Sequence, residues 1–236
     1  MTAAGPGGSA RLPQGRGAAP ALVVTGMGFE ARIAAGAGVE TLHGHRAEAL
    51  AQALRQRLAR PCAGVVSFGV AGGLDPALSP GRVIVATGVC DGGIRLPVDA
   101  SWSQALCLAL PEALSGVLAG TDGAVTSIAG KAALHAASGA LAVDMESHIA
   151  ARVAQEYGLP FAACRVVIDP AGRQVPPAAV AAMGADGSTD MWALLKGLLA
   201  GPWQVPDLIR LGRDARVART ALERVRGKLG VGFGLP

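Results

Sequence analysis

Short, uninterrupted apolar runs alternate along this chain with longer segments of helical periodicity. The runs Ala21–Thr25 (ALVVT), Ala63–Phe68 (AGVVSF), Arg82–Thr87 (RVIVAT) and Phe161–Ile168 (FAACRVVI) lack the polar alternation of a half-solvated strand. They predict strands covered on both faces. A helix is expected from about Phe29. Others are expected over Arg46–Arg60, stopped by Pro61, and over Ser101–Leu110, Lys131–Ala137 and Met145–Tyr157, where Gly158 is a C-terminal signal. Ala140–Val143 predicts a short strand, and everything after about Ala178 predicts helix. The pattern is that of an α/β fold, a three-layer sandwich with a central, mostly parallel twisted sheet. Residues 20–236 form a single domain with a C-terminal helical segment, because no repeat or linker divides them. Residues 1–19, a Gly/Ala/Pro/Arg tract, predict a disordered tail.

In that C-terminal segment, Leu211, Ala215, Ala218, Leu222, Val225 and Leu229 recur at steps of four and three, the signature of an amphipathic helix. From Pro206 onward there are seven basic and three acidic residues, which accounts for the whole net charge of +4. The basic character therefore belongs to one helix face. It reads first as a solvated face, next as a surface for anionic lipid headgroups, and last as a nucleic-acid contact. An aromatic content of 3% also argues against base-stacking platforms. Met191–Trp203 (MWALLKGLLAGPW) reads either as core or as an apolar patch that admits a lipid substrate. The longest charge-free apolar stretch, Pro61–Leu74, is 14 residues and broken by glycines, too short to span a bilayer. Met1–Ala19 has no apolar core of a secretory signal. The expected location is cytoplasmic, with peripheral contact at the inner membrane surface as the alternative. Cys62, Cys90, Cys107 and Cys164 form no CxxC pair and read as buried reduced thiols, not as a metal site. His43-x-His45 has no further ligands nearby and reads as a surface loop, while His148 reads as packing.

Candidate chemistry gathers where the strands should end: Gly26-Met27-Gly28 with Glu30, Gly69–Gly73, Asp144–Glu146, and Asp169. Ligands of parallel α/β sheets bind at such ends. Residues 26–31 fit the dinucleotide pattern G-x-G-x-x-A. Against that, Glu30 would repel a pyrophosphate, and no ribose-binding acid closes a strand about 20 residues on. The other reading is a carboxylate pair, Asp169 and Glu146. A carboxyl group at a dry strand end has a raised pKa and can act as a general acid. Their plain structural alternatives are an Asp-Pro turn and helix N-terminal charge complementarity.

Val66–Leu74 (VSFGVAGGL), Val143–Ser147 (VDMES) and Arg165–Asp169 (RVVID), with Gly26-Met27 and Glu30 before them, resemble the purine nucleoside phosphorylase / methylthioadenosine nucleosidase superfamily over Ala21–Gly172. Lys131–Arg152 and Thr25–Arg32 look most like the hopanoid-associated phosphorylases, which release adenine from adenosylhopane. The resemblance implies cleavage of an N-glycosidic bond through a ribooxocarbenium-like transition state. Asp169 would protonate or hydrogen-bond the purine N7, and Glu146 would bind the ribose hydroxyls. Met145 would pack against the sugar. Val70, Ala71, Gly72 and Ile128 would line the substrate, and Glu30 would orient an attacking water. The resemblance also implies a small-molecule nucleoside, lipid-linked in the hopanoid case, and a homo-oligomer. It implies no metal or organic cofactor, with phosphate as co-substrate in the phosphorolytic members. For phosphate, Gly26, Gly28 and Arg32 are the candidates. The hexameric bacterial phosphorylases place phosphate-binding arginines where this chain has Ser67 and Glu30, and a serine where it has Val70. Base release without phosphate is therefore expected.

Overall fold

The computed structural model describes residues 19–45, 47–177, 179 and 205–236. The expected N-terminal tail, up to residue 18, and the Met191–Trp203 segment lie outside the described residues.

Among the described residues eight strands and six α-helices follow one another as β1 (Ala21–Val24), α1 (Gly28–Ala34), β2 (Val39–Leu42), α2 (Ala47–Leu58), β3 (Gly64–Gly73), β4 (Val83–Asp91), β5 (Ile94–Leu96), α3 (Ala100–Ala109), β6 (Leu114–Gly120), α4 (Ile128–Ser138), β7 (Ala142–Asp144), α5 (Ser147–Glu156), β8 (Phe161–Asp169) and α6 (Val205–Leu229). The architecture is α/β, with helices on both faces of one sheet. Successive residues of β1 and β8 serve opposite faces. Leu22, Val24, Phe161, Ala163 and Val167 pack with α2 and α5, through Leu50, Leu54, Ile149 and Val153. Ala21, Val23, Ala162, Cys164 and Val166 pack with α1, α3 and α6, through Ala34, Trp102, Leu106, Leu222 and Val225. Apolar residues on both faces are why these strands read as unbroken hydrophobic runs.

Five strand pairings are parallel and three antiparallel. β2, β1, β3 and β8 run one way. β4, β6 and β7 run the other, and β8 joins β3 to β4. Because β7 also pairs with the far end of β3, the strands β3, β8, β4, β6 and β7 form a closed ring. The strands' carboxyl ends therefore do not all lie along one edge. Gly69–Gly73, expected as a loop beyond the strand, continues β3; its register with β8 shifts between Ala71 and Gly72, where β8 carries Ile168 as an extra residue, so that Gly72 faces Asp169. Glycines in a strand permit the close approach of side chains from neighbouring strands. The strands absent from the sequence reading are β2, β5 and β6. β2 and β5 are short sheet edges, and β6 starts exposed with Leu-Ser-Gly.

α6 carries the expected amphipathic stripe. Ala218, Leu222, Val225 and Leu229 are buried, whereas Leu211 and Ala215 are only half-buried. Four of its basic residues are paired inward or along the helix: Arg210 with Asp207 (3.0 Å), Arg219 with Glu223 (3.0 Å), Lys228 with Glu112 (2.8 Å) and Arg226 with the Ala34 carbonyl (2.8 Å), while its Asp214 receives Arg173. The chain end is pinned by Trp102, whose buried Nε1 donates to the Phe233 carbonyl at 2.9 Å. Of the four free thiols only Cys164 is fully buried. Cys62, Cys90 and Cys107 are half-buried, which corrects the expectation for those three. Among the described residues no helix is long and apolar enough to cross a membrane.

Candidate active site

The site forms where β7 returns antiparallel onto the glycine-rich half of β3. Arg165, in the middle of β8 and 1% exposed, is its centre. Its Nη2 donates to Ser67 Oγ (2.5 Å) and Glu146 Oε2 (3.1 Å), and its Nη1 to the Val70 carbonyl (3.3 Å). Its Nε lies 3.1 Å from Asp144 Oδ2, an ion-pair contact without hydrogen-bond alignment. Burial works against the guanidinium, but Asp144, Glu146 and Glu30 outweigh it and keep its pKa above the ordinary value. One buried cation thus serves three buried carboxyl groups.

Asp144 has the structural task that helix-terminal charge complementarity would have assigned to Glu146. Its Oδ1 accepts from the Glu146 and Ser147 amides (2.9 and 2.7 Å), and its Oδ2 accepts from Ser147 Oγ (2.5 Å). These bonds satisfy the free amides at the start of α5. Glu146 is then free to turn its other oxygen toward β1. A Cβ placed on Gly26 would lie 2.7 Å from Glu146 Oε1, so only glycine leaves that approach open. Burial pushes the Glu146 carboxyl up to about 7, with Asp144 and Glu30 adding to the rise against the pull of Arg165.

Glu30 is buried on α1. Its Oε2 accepts from the Met27 amide and its Oε1 from the Val70 amide, both at 2.8 Å. Gly69, at φ +152°, makes room for it: a Cβ there would lie 2.6 Å from Glu30 Oε1 and 2.8 Å from Arg165 Nη1. Burial raises the pKa of Glu30, although Arg165 and the amides oppose the rise. The amides at Met27 and Val70 are therefore already spent on a carboxylate. Arg32, the candidate cation for phosphate, does not pair with Glu30. It is exposed, its guanidinium lies beside Gly28 and His43, and it forms no ion pair among the described residues. Arg165 is the cation that faces Glu30.

Asp169 ends β8 and is 8% exposed, with Oδ1 3.4 Å from where a Gly72 Cβ would sit. Burial raises its pKa, against the lowering influence of Lys131. Gly69 and Gly72 are three residues apart on β3, about 10 Å at the usual strand rise. Met145 is half-buried between Asp144 and Glu146, and Ala71 is buried in the core. Ile128, 48% exposed, opens α4 behind the Ser127 cap. The sequence reading missed Arg165, Asp144, Ser67 and Ser147 as a network. A lone arginine inside the apolar run FAACRVVI was the available signal, since an unpaired charge there would be prohibitively costly. His148, expected as packing, is buried on α5 and reaches Asp122 (3.1 Å). Among the described residues no three His, Cys, Asp or Glu side chains converge to hold a metal ion.

The profile of the phosphorylase superfamily matches residues 16–200. The chain belongs to the phosphorylase superfamily. Its fold is that of solved nucleosidases in this superfamily. Helicobacter pylori 5′-methylthioadenosine/S-adenosylhomocysteine nucleosidase is 18% identical, with a TM-score of 0.61 over 89% of this chain and 98% of that one. Futalosine hydrolase from the same species is 19% identical, with a TM-score of 0.58 over 64% and 88%. S-adenosylhomocysteine nucleosidase from Streptococcus pyogenes is 15% identical, with a TM-score of 0.59 over 89% and 99%. No curated protein sequence matches the chain.

The raised carboxyl groups make stability depend on pH in a defined direction. Glu30, Glu146 and Asp169 all bind protons more tightly in the fold than in the unfolded chain. Their stabilising contribution is complete below the ordinary carboxyl pKa and is lost as pH rises through about 7, where Glu146 ionises. The ligand-free protein is expected to melt at lower temperature at pH 8 than at pH 5.5. Glu146→Gln should flatten that dependence, and an unchanged slope in this variant would remove Glu146 as its source.

Proposed function

We propose that this protein cleaves the N-glycosidic bond of an adenosine-type nucleoside, using water as the nucleophile. The observation that carries the reading is the set of buried carboxyl groups turned onto glycine backbone, Glu146 against Gly26, Asp169 against Gly72, and Glu30 against Gly69, where it is held between two amides. Asp169, its pKa raised by burial, delivers a proton or a hydrogen bond to N7, so that the base leaves as a neutral purine. Glu146 accepts from the ribose hydroxyls. Glu30 accepts a proton from water as the oxocarbenium-like centre is captured. A phosphate dianion would meet the Glu30 carboxylate where it needs donors, and the nearest amides are committed to that carboxylate. The same commitment leaves the dinucleotide reading without a pyrophosphate cradle.

The substrate we infer is adenosylhopane, on the resemblance of Lys131–Arg152 to the hopanoid-associated enzymes. Exposed Ile209 and Val217 on α6, beside Arg213 and Arg216, suit a lipid-linked substrate presented at an anionic surface.

The test is a panel of adenosine, methylthioadenosine, inosine and adenosylhopane, each with and without phosphate, with identification of the sugar product. Free ribose-type product without phosphate is expected, fastest from adenosylhopane. Formation of the sugar 1-phosphate alone, with none of either product when phosphate is omitted, would reject the water reading. In the same assay Glu146→Gln should lose activity on ribosides but lose less on 2′-deoxy analogues. Equal losses on both sugars would take Glu146 away from the hydroxyls.

A further inference from the structure

Behind Asp169 stands a side chain that no role above uses. Lys131, in the first turn of α4, is completely buried. Its ammonium donates to Asp169 Oδ2, to the Pro170 carbonyl (3.0 Å) and to the Arg173 carbonyl (2.9 Å), and so uses all three of its protons. A lysine with no solvent exposure and no spare donor does not touch substrate. It ties three things together: α4, the acidic end of β8, and the backbone of residues 170–173. That backbone is held on its other side as well, by Arg173 to Asp214 of α6 and by the Val175 amide to the Thr126 carbonyl (2.9 Å). The consequence at Asp169 is asymmetric. Oδ2 is committed to the ammonium, and Oδ1 is left on the side of Gly72.

We propose that Lys131 is the positioning residue of the base-activating carboxyl group: it takes one oxygen of Asp169 so that the other is the single atom presented to the purine. This rests on the glycosidic-cleavage reading of the site. Burying a lysine costs several kinds of interaction with water, and three well-placed acceptors offset that cost only in this geometry. Its charge has a second effect. Lys131 opposes the rise that burial imposes on Asp169, so the group titrates lower than its dry surroundings alone would dictate. The other charges that bear on Asp169 are Arg173, which also lowers it, and Asp214, which raises it.

The experiment compares four proteins: wild type, Lys131→Met, Asp169→Asn and the pair Lys131→Met/Asp169→Asn. Base release is measured from adenosine across pH, and melting is followed without substrate. If Lys131 acts through Asp169, Lys131→Met lowers kcat about tenfold or more in the wild-type background but less than about twofold when Asp169 is already asparagine. The alkaline limb of kcat/KM moves up by about one pH unit or more in Lys131→Met, because the remaining carboxyl has lost its cation. A tie that is merely structural gives losses that add and leaves the limb where it was, which overturns the inference. Lys131→Met strands a buried carboxyl group and is the variant at risk of not folding. The pair removes both charges and should melt higher than Lys131→Met. Asp169→Asn against the pair then decides by itself: equal rates support the inference, and a pair more than about tenfold slower rejects it. Absence of base release from every nucleoside by wild type would sink the functional reading and this inference with it. Wild-type turnover with additive losses sinks this inference alone.

Discussion

Asp169→Asn is expected to lower the rate of base release at least about a hundredfold, the usual scale for loss of a general acid, with little change in substrate binding. Asparagine is close in shape and still donates through its amide, but it has no proton to transfer. In an oxocarbenium-like reaction, departure of the base limits the rate, so the loss falls on kcat. The residue sits at a strand end and is buried beside Lys131, so the substitution also leaves that ammonium facing a neutral partner. Melting therefore has to be followed alongside turnover. A folded Asp169→Asn protein with near-normal kcat would remove the residue from the mechanism.

The largest effect on stability is expected at Arg165. Replacement by methionine keeps much of the volume but leaves Asp144, Glu146 and Glu30 buried around no cation. Removing one partner of a buried ion pair costs about 3–5 kcal/mol, a large share of a total stability of about 5–15 kcal/mol. For a chain of this size that corresponds to a fall of roughly 10 °C or more in melting temperature. Lysine at the same position should fall between the two, because a single ammonium cannot meet Ser67, Glu146, Asp144 and the Val70 carbonyl together. A melting temperature for Arg165→Met within about 2 °C of wild type would show that the carboxyl groups are neutralised in some other way, by protonation or by solvent.

Both predictions concern residues that occupy one strand, β8, and they differ in how far the sequence announced them. Asp169 was visible because it closes an apolar run just before a proline, where a strand must stop. Arg165 stood inside that run without a visible partner. Its partners come from β3, β7 and the start of α5, which lie 18 to 98 residues away along the chain. Lys131 gave no signal, because on a helix with alanines around it a lysine ordinarily faces water.

What the sequence determines by itself is whatever rests on local periodicity and backbone chemistry. Continuous apolar runs required strands buried on both sides, and the stripe from Ala218 to Leu229 required a helix docked by one face. The glycines at 26, 69 and 72 marked places where side chains approach the backbone closely. Tertiary structure alone decided the rest. Closure of the sheet depends on β7 running antiparallel to β3, a pairing of only two residues each way that periodicity cannot report. The extension of β3 through its glycines depends on β8 lying beside it. The assignment of Asp144 to the helix start, which frees Glu146 for the site, and of Arg165 rather than Arg32 to Glu30, follows from which charges the closed ring brings together in a dry interior. There a carboxyl group takes the partner within a few ångströms, since water cannot screen or replace it. Nearness in sequence counts for nothing when helix α1 turns Glu30 inward and Arg32 to solvent.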